Sequence, residues 1–145
     1  MIIPLLLSAL LTMAADGERA VQIVVAPDSP VRLNSAKVLN TGSEPLVLLY
    51  GAANTTEAPI DQFTVTVFVF RADGQLKARQ VAPGRRELAV GQTKYSAMVL
   101  DVGAIDATDT LMAGVDQEQR VGSETWWRAD LKALAESAAK APRAR

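Results

Sequence analysis

The chain has 145 residues, 49% hydrophobic and 21% charged, which suits one domain with enough apolar material to bury a core. Its 15 Lys and Arg nearly balance its 16 Asp and Glu, so no long-range field draws in phosphate backbones and nucleic acid is not expected as a partner. It has no histidine and no cysteine, which excludes zinc fingers, thiol redox chemistry and histidine-based acid–base catalysis within this chain.

The opening stretch MIIPLLLSALLTMAA carries no charged side chain, ends in Ala14 and Ala15, and gives way to Asp16, Gly17, Glu18 and Arg19. An apolar run of this length closed by small residues reads as a secretory signal and is too short to span a bilayer comfortably. Residues 1–15 are therefore expected to be a signal peptide, cleaved after Ala14 or Ala15. No Lys or Arg precedes the run, which departs from the usual pattern and leaves an edge strand or an interfacial helix as the other reading. A signal implies a periplasmic or secreted protein. No later apolar run is long enough for a transmembrane span in the mature chain.

Residues 16–122 are expected to form a β-sandwich. Segments 20–26, 31–40, 45–54, 61–71, 75–82, 85–90, 94–102 and 109–118 are rich in Val, Ile, Thr, Phe and Tyr, whose branched or flat side chains suit a pleated surface. Pro27, Pro30, Asn40–Thr41–Gly42, Pro59, Asp73–Gly74, Pro83–Gly84 and Gly91 punctuate them. Asp73–Gly74 predicts a tight hairpin, since both residues tolerate a positive φ. In 31–39, Val31, Leu33 and Leu39 share one parity. In FTVTVFVF, Phe63, Val65, Val67 and Val69 line one face. The other face passes from Thr64 and Thr66 to Phe68 and Phe70, as in a central strand covered on both sides. The fold class that follows is all-β: a two-sheet antiparallel sandwich of seven or eight strands, with a small barrel as runner-up. Leu33, Leu39, Leu48, Val65, Val67, Val69, Leu88, Val99 and Leu111 are the expected core.

The C-terminus changes period. Trp127, Leu131, Leu134, Ala135, Ala138 and Ala139 recur at helical spacing, so residues 123–141 are expected to be a helix docked on the sandwich. Ser123 is its expected N-cap, and Pro142 ends the pattern, leaving 142–145 as a disordered tail.

Few residues stand out as chemistry. Trp126 offers a large rigid surface for a sugar ring or a partner, whereas Trp127 fits the helix stripe as an anchor. Asp106 and Asp109, with Asp101 and Asp116, form the densest acidic set, able in principle to meet calcium. They lack the ordered ligand loop and distal glutamate of a calcium motif, and the plainer reading is a turn in which Asp106 and Asp109 accept from nearby amides. Ser35 with Lys37 on one strand parity, and Ser96 two residues from Lys94, offer serine–lysine pairings for a histidine-independent hydrolase. No phosphate-binding glycine loop occurs, and no cofactor is expected.

The run KVLNTGSEPLVL followed by NTTEAPIDQFTVTVFVFRADGQL resembles small immunoglobulin-like or fibronectin-like domains of exported bacterial proteins, over about 31–117. The closing SETWWRADLKALAES departs from a bare sandwich of that kind. The resemblance implies adhesion, assembly or ligand display more than catalysis, and transfers no residue to a named role. The expected function is a noncatalytic interaction domain contacting another protein or a cell-envelope component, through an exposed apolar patch or an open sheet edge. The alternatives are a carbohydrate- or calcium-binding module using Trp126 or the Asp106–Asp109 region, and a hydrolase.

Overall fold

The computed structural model describes residues 17–40, 45–82 and 84–141. The expected signal peptide (1–15), the tail (142–145) and the turn residues Thr41, Gly42 and Pro83 lie outside these. In chain order the elements are β1 (Glu18–Ala20), β2 (Gln22–Ile23), β3 (Val31–Leu39), β4 (Val47–Asn54), β5 (Ile60–Phe70), β6 (Leu76–Val81), β7 (Arg85–Leu88), β8 (Thr93–Val99), β9 (Thr110–Arg120), β10 (Trp126–Arg128) and the helix α1 (Leu131–Lys140).

The strands build two sheets. One has four strands in the order β1-β3-β4-β8. The other has six: β10-β9-β5-β6, with β2 also on β9 and β7 also on β5. Its centre is the antiparallel pair β5 and β9, and each of these long strands shares its outer edge between two short ones. The side chains expected to point one way from β5, Phe63, Val65, Val67 and Val69, do so together. They meet Val38, Leu48, Tyr50 and Met98 of the other sheet in the main core.

The opposite face of β5 and β9 is covered by the helix. Phe68, Phe70 and Met112 pack with Leu131, Ala135 and Val24 in a second cluster, so β5 is buried on both sides. A close approach makes this possible at Gly114, where a methyl group would collide with the Val24 carbonyl oxygen and crowd the Leu131 side chain. The predicted Asp73–Gly74 turn joins β5 to β6. Gly74 has φ +86°, its N–H donates to the Arg71 carbonyl at 2.9 Å, and Asp73 Oδ1 accepts from the Gln75 N–H at 3.0 Å.

Four expectations need correction. The count of seven or eight strands is ten among the described residues, partly because segment 20–26 divides: β1 pairs with β3 in the first sheet, and β2 pairs with β9 in the second. The β2–β9 pairing is parallel, so the six-stranded sheet is mixed and not purely antiparallel.

The helix begins at Leu131, not at 123. Trp126–Arg128 is a strand against Gln117–Gln119, and the cap is Asp130, whose Oδ1 accepts from the Ala133 N–H at 3.1 Å. Ser123 instead closes a local turn, accepting from the Thr125 N–H at 3.1 Å.

Finally, Leu39 and Val99 are not core. The pairing of β3 with β4 shifts between Leu33 and Ser35, and this β-bulge reverses the parity of the rest of β3. Val38 therefore turns inward in place of Leu39. Met98 and Leu100 are the inward residues of the β8 segment, leaving Val99 58% exposed.

Candidate functional site

The two sheets differ in what lies over their outer faces. The helix rests on β9 and β5, whereas the outer face of the four-stranded sheet keeps its apolar side chains open to solvent. Cross-strand register arranges that face in rows: Leu39, Val47 and Val99; then Lys37, Leu49 and Ala97; then Ser35, Gly51 and Tyr95. A concavity of about 640 Å³ sits over the last two rows, with Tyr95 as one wall. Tyr95 is 73% exposed yet seated, because its ring crosses the notch at Gly51. A Cβ built there would be 2.8 Å from Tyr95 Cε1 and 2.9 Å from Ser35 Oγ. Exposed Arg32, and Lys37 paired with Glu18 at 3.1 Å, supply charge along β3.

A second concavity, about 520 Å³, opens beside β10 and is lined in part by one of the predicted site residues, Trp126. Neighbours on a strand point to opposite sides, so the tryptophan pair splits. Trp127, directly across from Glu118, packs against the main core, while Trp126 lies across from Gln119. Both are half-buried. Asp28 reaches the rim from a turn in which Pro27 and Asp28 are the corner residues. Asp28 takes φ 60°, and the Ser29 N–H donates to the Ala26 carbonyl at 3.2 Å.

Glu118, like Tyr95, is a residue that sequence reasoning missed. It is 1% exposed, pairs across the sheet with buried Phe63, accepts from the Val31 backbone N–H, and has no protein partner at Oε2. Burial pushes its pKa up to about 7, against smaller opposing effects of Arg120 and the Val31 amide. The parity of Leu111, Ala113 and Val115 would aim residue 117 inward. The irregular pairing between Thr64 and Val65, opposite Asp116, moves that role to 118. An unaligned sequence carries no local sign of this shift.

The Asp106–Asp109 region is a saturated turn. Asp109, 7% exposed, accepts from Lys77 Nζ at 2.6 Å and from the Asp106 N–H at 2.8 Å. Asp106 also meets Lys77, at 3.2 Å, and Arg19 donates to both main-chain carbonyls, at 2.9 Å to Asp106 and 2.6 Å to Asp109. The Lys77 hydrogen bond holds the Asp109 pKa below the ordinary carboxylate value, and the same contact raises that of Lys77. Asp116 accepts from Thr64 instead, and Asp101 is exposed. Among the described residues no group of three or more potential metal ligands comes together. Of the serine–lysine pairs, Lys37 is held by Glu18, and Lys94 Nζ donates to the Arg86 and Glu87 carbonyls at 2.6 and 2.8 Å. No helix among the described residues is long and apolar enough to cross a membrane.

No protein-family model, curated protein or solved structure matches this chain.

Proposed function

We propose that the chain is an exported, noncatalytic, immunoglobulin-like sandwich that docks a partner protein of the cell envelope on the outer face of its four-stranded sheet. The observation that carries this is Tyr95: a large aromatic ring, mostly exposed, already seated over Gly51 amid an apolar face that nothing described covers. A ring held in place loses little freedom when a partner closes over it, which is what makes rigid aromatic residues effective anchors. An open apolar face of this kind costs solubility unless it is used. Exposed Arg32 at its border favours a partner segment that is apolar with an acidic flank.

Export is supported by the composition of residues 1–15, and the immunoglobulin-like reading by two stacked sheets whose first strand pair divides between them. The absence of histidine and cysteine from the sequence, and the engagement of Lys37, Lys77 and Lys94 in local contacts, support a noncatalytic role.

A photo-cross-linking residue at position 97, introduced in the native host, tests this. One envelope protein captured there, lost with Tyr95→Ser and absent from a probe at Lys132 on the helix, is the expected result. No adduct, equal capture at both positions, or an adduct only with a second copy of the chain overturns it. N-terminal sequencing of the exported protein, beginning at Ala15 or Asp16, checks the location.

A further inference from the structure

Glu118 lies at the opposite sheet from the proposed docking face and takes no part in it. A carboxyl group with one unpartnered oxygen is costly to bury, and an aliphatic residue at this position would spare that cost. The cost makes sense where a ligand supplies the missing partner. Oε2 has none from the protein, and Glu118 is part of the lining of the cleft beside β10. The volume of that cleft falls within the usual range for small-ligand sites, roughly 300–1,000 Å³.

Its chemistry narrows the ligand. Trp127 offers a flat apolar surface next to Glu118, and Trp126 closes the rim. Acceptors at Glu118 and Asp28 face a donor at Arg120, and neither Asp28 nor Arg120 makes a side-chain hydrogen bond or ion pair among the described residues. A cation would meet the Arg120 guanidinium, and an anion would meet two carboxyl groups. A purely apolar ring would leave Oε2 unsatisfied. A neutral ring with hydroxyl groups at its edge and C–H groups on its face satisfies all three conditions.

We propose that this cleft is a saccharide-binding site in which a sugar ring stacks on Trp127 and donates a hydroxyl hydrogen bond to Glu118 Oε2. Arg120 and Asp28 hold further hydroxyls at the rim. With its elevated pKa the Glu118 carboxyl carries its proton in a large fraction of molecules near neutrality, so it can donate to a sugar oxygen as well as accept.

The chain's two tryptophans both line this cleft, so intrinsic fluorescence reports on it directly. The probes are an array of neutral oligosaccharides that includes maltohexaose, cellohexaose and chitohexaose, with a lysine-rich peptide and a polyanionic glycan for comparison. A saturable change in tryptophan emission with a neutral oligosaccharide is expected, confirmed by calorimetry. Glu118→Leu should weaken it at least about tenfold, the equivalent of one hydrogen bond to a polar buried group. Glu118→Gln, which keeps an acceptor for Val31 and a hydrogen-bonding group toward the cleft, should stay within about threefold of native on the same scale. If Glu118→Leu does not fold, Thr125→Tyr, a substitution at an exposed position that fills the cleft, should abolish binding. Silence across the neutral array, saturation only by the peptide or the polyanion, or binding unchanged in Glu118→Leu or in Thr125→Tyr overturns the proposal.

Discussion

Ionising Glu118 in the folded chain charges a group that has lost its water and gained one amide donor, which is why its pKa rises from an ordinary 4.5 to about 7. The folded state then holds a proton that the unfolded state has released. Stability consequently falls as pH rises from about 4.5 to about 7 and levels off above, by an amount on the order of 3 kcal/mol. Urea denaturation at intervals from pH 4.5 to 8 should show this decline, and Glu118→Gln should remove it and be the more stable protein at pH 8. Asp109 acts with the opposite sign. Its pKa lies below the usual 3.8 because Lys77 donates to it, so its contribution is complete above that value and fades as acid carries pH through the folded pKa. Lys77→Met should destabilise the protein at neutral pH and shrink the difference between neutral and strongly acidic conditions, measured as the shift in urea midpoint.

Among the elements, α1 and β10 show where periodicity misleads. Trp127 lies four residues before Leu131, which fits a helix, but it also alternates with Trp126 and Arg128, which fits a strand. The partner decides: Gln117–Gln119 present an unfilled edge of β9, and pairing there satisfies backbone groups that a longer helix would leave to its own turns. The core stripe of β5 was legible because one face, Phe63, Val65, Val67 and Val69, is apolar throughout while the other turns apolar only at Phe68 and Phe70. That of β3 was legible only as far as Leu33, where the bulge reverses it. The same cause hid Glu118, whereas Trp126 was recognisable by size alone. Asp106 and Asp109 were readable as a turn, since short acidic side chains next to free amides do little else. At this scale the helix is testable. Asp130→Ala removes its cap and should cost about 1 kcal/mol. Leu131→Ala opens the cluster around Phe68 and Met112 and should cost about 2–5 kcal/mol, both by urea titration.

At the scale of the whole fold, the described residues seal one outer face and leave the other open, so substitutions on the two should behave differently. Tyr95→Ser or Val99→Asp should stay within about 0.5 kcal/mol of the native chain, because neither side chain is buried. Ala135→Asp, on the sealed side, places a carboxylate among Phe68, Phe70 and Met112 and should prevent the helix from docking, seen as loss of a cooperative thermal transition.

The passage of the chain from one sheet to the other has a mechanical meaning. Between Ala20 and Gln22 the backbone leaves β3 for β9, and Val21 is buried in the core at the crossing. Tension applied at the N-terminal side cannot peel β1 away without dragging Val21 outward and loosening β2 as well. Both layers share the strain through one residue, so a pull from that end should rupture the sandwich in a single event.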